Sequence, residues 1–152
     1  MFGLRVASAL LIVCLAGVTC LAFQAQSPFS VAVGQVQTGK YQEAAATLEA
    51  AIRTNPKGGE NLILLLSECY TQLADPAKAS ATLRAGLRVY PAAAVLERAL
   101  GQLLFRSQYD SSEAGTLLAH AAKMLPRDPE AKHYYAQWAY LNARDRICVQ
   151  GA

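Results

Sequence analysis

Three prolines, Pro56, Pro91 and Pro126, stand 35 residues apart, and the same small pattern precedes each. Twelve residues upstream lies an alanine: Ala44, Ala79 and Ala114. Eight upstream lies a leucine: Leu48, Leu83 and Leu118. Five upstream lies a small residue: Ala51, Gly86 and Ala121. Four features recurring in register over three units are the mark of a stacked supersecondary element. Within a unit, spacings of four and then three place the small, leucine and small positions on one helical face. Small side chains let a neighbouring helix approach closely, and the leucine fills the space between the backbones. The proline cannot continue a helix and drives the residue before it out of the helical region. The chain therefore reads as all-α, a run of antiparallel helix pairs. The competing arrangement is an ordinary helical bundle.

Start and stop signals give the helices their limits. Ser27-Pro28, Asp75-Pro76 and Asp128-Pro129 each set a capping side chain before a first-turn proline. Asp110 is placed to cap the helix that carries Ala114, and Gly39 suits a left-handed stop. The expected helices span 28–38, 41–55, 60–73, 76–90, 93–107, 111–125, 129–142 and 144–151, with Gly58-Gly59 as a turn between units. The last of these is short. Terminal repeats need a solvated outer face, so the expectation is a truncated product, a fragment of a longer scaffold, or self-association through the open C-terminal end.

The run Gly39-Lys40-Tyr41-Gln42-Glu43-Ala44, continuing through Leu48 and Ala51 to Asn55-Pro56, resembles the tetratricopeptide repeat. The second unit has Tyr70, Ala79, Leu83 and Pro91, with Ala74 and Gly86 where the family has glycine and alanine. The third has Phe105, Ala114, Leu118, Ala121 and Pro126, with Gln102 at a usually small position. A fourth opens at Asp128-Pro129-Glu130-Ala131, with Ala136 and Cys148 at its small positions. The resemblance implies a right-handed α-solenoid of about 3.5 repeats over residues 27–152, with units near 25–59, 60–94, 95–128 and 129–152. It also implies a concave wall of first helices that binds peptides. The candidate groove residues are Phe29, Val33, Val36, Gln37, Asn61, Leu64, Glu68, Thr71, Gln72, Ala99, Leu103, Arg106 and Ser107, with His133, Gln137 and Tyr140 in the fourth unit, or Tyr134 and Trp138 if its register slips by one. The alternative for Tyr134 and Trp138 is packing against the third unit. Some relatives clamp a C-terminal carboxylate with Lys and Asn. Phe29 and Val33 stand at those places, so that activity does not carry over. The expected ligand is an extended or helical apolar segment.

The N-terminus looks like a targeting segment. Arg5 precedes an apolar run from Val6 to Ala22 that no charge interrupts, the order of a secretory signal. Cys20 and Ala22 fit a cut before Phe23, and a second site follows Ala25. Residues 1–25 are thus a signal peptide or, uncleaved, a signal anchor that tethers the chain through residues 6–22. The repeats would be periplasmic or secreted in the first case and membrane-anchored outside the cytoplasm in the second. Cleavage removes Cys14 and Cys20, leaving Cys69 and Cys148 on units two and four. Stacked units touch only their neighbours, which favours buried thiols over a disulfide.

Chemistry-bearing patterns are sparse. The formal charge is only +3, and no Lys/Arg stripe suits nucleic acid. His120 has no ligand-type residue at three or four positions either way, and His133 has Glu130 alone, so neither reads as a metal ligand. No nucleophile elbow or phosphate loop is present in the sequence. The chain therefore reads as a protein-binding scaffold, with no cofactor and no catalytic residues. The other readings are the N-terminal assembly module of a larger exported enzyme or envelope complex, and a self-assembling structural protein.

Overall fold

The computed structural model describes residues 27–150, with side chains as far as Ala143. The signal reading on residues 1–25 and the Cys148 side chain fall outside the described residues. Within them are seven helices and no strand: α1 (Pro28–Gln37), α2 (Tyr41–Thr54), α3 (Glu60–Gln72), α4 (Pro76–Val89), α5 (Ala94–Ser107), α6 (Ser112–Met124) and α7 (Pro129–Gln150).

The predicted punctuation accounts for most helix ends. Ser27 accepts from the Ser30 N–H, Asp75 from Lys78, and Asp128 from Glu130 and Ala131. These bonds satisfy amides that the first turn leaves without partners. The cap of α6 is Ser111, not Asp110; its side chain accepts from the Ala114 N–H at 3.3 Å. Asn55, Tyr90 and Leu125, each just before a repeat proline, are non-helical, with ψ of 89°, 73° and 66°, as the proline ring requires.

Ala44, Ala79 and Ala114 are all 0% exposed, and Leu48, Leu83 and Leu118 are buried beside them. Apart from sequence neighbours, the helix pairs in contact are α1–α3, α3–α5, α5–α7 and no others among the described residues. The first helices therefore touch one another along one wall, and the second helices form the outer layer. Each close approach matches a small residue with a large one. A Cβ on Gly86 would lie 2.7 Å from the Ile63 Cγ2, and one on Gly101 2.8 Å from the Leu118 Cγ. Gly86, where the family resemblance has alanine, is what admits the bulky Ile63. Cys69 is a free thiol packed in the first core cluster, and burial raises its pKa. Tyr70 donates to the Glu49 carboxylate across α3 and α2, and burial with that acceptor pushes its hydroxyl pKa up to about 12.

The expected break near residue 143 is absent: α7 runs on for 22 residues. No glycine or proline lies between Glu130 and Gln150 to stop it. The Asn142 amide donates to the Trp138 carbonyl one turn back in the same helix and to the Tyr109 carbonyl. The fourth unit is thus one long helix and not a pair.

The turns after α1 and α3 are the same six-to-one motif, with Lys40 N–H on Gln35 O and Asp75 N–H on Tyr70 O, both at 2.9 Å. The left-handed residue is Gly39 (φ 74°) in one and Ala74 (φ 57°) in the other. A left-handed alanine costs roughly 1–2 kcal/mol, part of which a glycine returns as unfolded-chain entropy. Ala74→Gly is expected to stabilise the chain by about 0.5–1 kcal/mol in urea denaturation; a loss of stability would contradict this reading of the turn.

Candidate peptide groove

A hollow of about 520 Å³ lies on the wall of first helices. Leu64, Ser67, Glu68, Thr71 and Gln72 of α3 line one side, and Arg98, Ala99, Gln102, Leu103 and Arg106 of α5 the other. Leu83 forms part of the floor, and Glu130 of α7 closes one border. The 35-residue register explains the pairing: Leu64 and Ala99, Glu68 and Leu103, Thr71 and Arg106 are equivalent positions on neighbouring units.

Of the sequence candidates, Leu64, Glu68, Thr71, Gln72, Ala99, Leu103 and Arg106 meet here. Phe29 and Asn61 line a separate cavity of about 720 Å³ among α1, α2 and α3. Val33 is half-buried on α1 outside both, and Val36 packs on the first core cluster. Tyr134 and Trp138 lie against the third unit. Tyr134 meets Phe105 edge-on with ring centroids 6.4 Å apart, and the Trp138 indole N–H donates to the Ser111 carbonyl at 3.0 Å. Trp138 occupies the space that a side chain on Gly115 would need.

The groove is more polar than the sequence suggested. Arg98 was not anticipated: the unit-two position equivalent to it is Ile63, a core residue. Its guanidinium is largely buried, with Nε 3.3 Å from the Asp128 carboxylate and a second ion pair to Glu130. The Gln102 amide nitrogen is buried and lacks a hydrogen-bond partner, which leaves a strong donor unmet. Arg106 and Glu68 form no ion pair among the described residues. The wall thus offers Leu64 and Leu103 as apolar contacts and, in Arg106 and Glu68, one charge of each sign that is unpaired among the described residues.

Among the described residues no three His, Cys, Asp or Glu side chains are grouped to hold a metal. His120 instead sits 2.5 Å from the Glu97 carboxylate, between α6 and α5.

The fold and wall define a helical-repeat solenoid. Residues 35–103 match the family model described as tetratricopeptide repeat. Among solved structures, it superposes on the first such domain of Spaghetti (RPAP3) bound to an HSP90 peptide, with a TM-score of 0.69, 17% identity, and coverage of 76% of this chain and 90% of that one. The type III secretion chaperone SycD of Yersinia enterocolitica, in complex with a peptide of the translocator YopD, gives a TM-score of 0.63, 18% identity, and coverage of 80% and 92%. PcrH in complex with the chaperone binding region of PopD gives 0.60, 13%, and coverage of 84% and 92%. At these identities the likeness concerns the fold. No curated protein matches the chain in sequence.

Proposed function

We propose that the chain is a scaffold that binds an extended polypeptide in the groove between α3 and α5, and that it works outside the cytoplasm. The observation that carries the first part is the hollow of about 520 Å³ in which Leu64, Glu68 and Thr71 of α3 meet Ala99, Leu103 and Arg106 of α5. An extended segment laid there would cover Leu64 and Leu103 with its apolar side chains. Arg106 adds a preference for a segment with an acidic residue at that end. Neighbours of the same fold are described with peptides or binding regions of other proteins, which supports the same use here. The charge-free run after Arg5 supports the second part.

A random dodecapeptide phage library selected on the chain supplies ligands for the test. Leu64→Glu combined with Leu103→Glu is expected to weaken the selected peptides at least tenfold, about 1.4 kcal/mol, with the helical circular dichroism unchanged. Equal affinity in the folded variant would exclude the groove. For the location, N-terminal sequencing of chain recovered from the envelope or medium should begin at Phe23, or at Met1 in a membrane fraction if the signal is retained; full-length chain confined to the cytoplasm would contradict it.

A further inference from the structure

The repeat register permits the same packing place to be compared in three units. In unit two, the space over Gly86 is closed by Ile63 and Leu96, whose methyl carbons come within 2.7 and 3.1 Å of where a Cβ would stand. Ala93 joins them in one buried cluster. Thirty-five residues on, the equivalent residues are Arg98, Asp128 and Ala131. There an ion pair and a buried alanine close the place, and Ala121 beneath is 0% exposed. Thirty-five residues back, the equivalents are Pro28, Gly58 and Asn61. A ring on the first turn, a glycine and an amide do not fill the space. Ala51 beneath them stays partly exposed, and the 720 Å³ cavity lies between.

We infer that this vacancy in unit one is an anchor site, taking one large apolar side chain of the segment bound in the groove. The inference rests on the groove reading and extends it to what the partner must carry. No charged residue lines the cavity, in contrast to the groove beside it with Arg98, Arg106, Glu68 and Glu130. Asn61 at the cavity and Leu64 and Glu68 in the groove share one face of α3 at helical spacing, so a segment can run from one to the other. From the level of Asn61 to that of Arg106, which is level with Thr71, the helix rises about 15 Å. An extended chain covers that in roughly four or five residues. The partner is therefore a segment with a Leu, Met, Phe or Trp anchor and an Asp or Glu about four or five residues away. Its acidic end answers Arg106, which no carboxylate among the described residues pairs.

The test plugs the vacancy with the residues that close it in unit two: Pro28→Ile with Asn61→Leu. Dodecapeptides selected on the unaltered full chain are expected to show the apolar–acidic spacing and to bind the plugged variant at least tenfold more weakly. Selection on the plugged variant should keep the acidic residue and lose the anchor. Should the double variant fail to fold, Ala51→Met fills the same space from the floor and is read in the same way. Undiminished binding to a folded plugged variant overturns the anchor but leaves the groove standing if Leu64→Glu with Leu103→Glu still weakens it. Peptides indifferent to both sets of changes overturn both readings. Phe23→Ser that by itself raises peptide affinity tenfold would identify the chain's own N-terminal residues as the occupant and overturn the proposal.

Discussion

The close approach of helices at Ala44, Ala79 and Ala114 is the contact on which the remaining structure depends. Each alanine is completely buried, with a leucine four residues along the same face. A methyl group there keeps the two helices of a unit near contact distance, and the leucine then fills the gap to interior density. Because the spacing repeats every 35 residues, successive units adopt nearly the same relative placement. The first helices consequently meet in the order α1–α3, α3–α5, α5–α7. The groove follows from that placement: its walls are register-equivalent faces of α3 and α5.

Variation at a fixed register is what turns a repetitive scaffold into a particular surface. Gly86 faces Ile63, Gly101 faces Leu118, and Gly115 faces Trp138. In each case the volume removed from one helix is returned by its neighbour, so packing density is kept while the shape changes. The same register allows Arg98 to replace an apolar plug, since Asp128 and Glu130 lie within ion-pair reach. A largely buried guanidinium without such partners would be strongly destabilising. Unit one has no such compensation at Pro28, Gly58 and Asn61, and the cavity is the physical result.

The fold was legible because its determinants are local and periodic. Small, leucine and proline positions at fixed offsets identified the face that is buried, and the side-chain caps at Ser27, Asp75 and Asp128 are short-range chemistry. Seven residues that line the hollow, Leu64 and Arg106 among them, followed from the family resemblance carried onto the repeat register. What the sequence concealed depends on partners distant in the chain. Arg98 reads as a misplaced charge until Asp128 is found beside it. Trp138 offers no sign of facing the groove or the third unit until Gly115 is seen to make room for it. The unbroken α7 was misjudged because a family pattern suggested a turn where the local residues supply no breaker. The vacancy in unit one is visible only by comparing what covers Ala51, Gly86 and Ala121.

The most direct test of the central claim is urea denaturation of three single variants, Ala44→Leu, Ala79→Leu and Ala114→Leu. If all three sites are the same close approach, each should lose about 1–3 kcal/mol through overpacking, with similar transition slopes. A leucine tolerated without loss at any one of them would show that the three alanines do not share one environment, and would contradict the account.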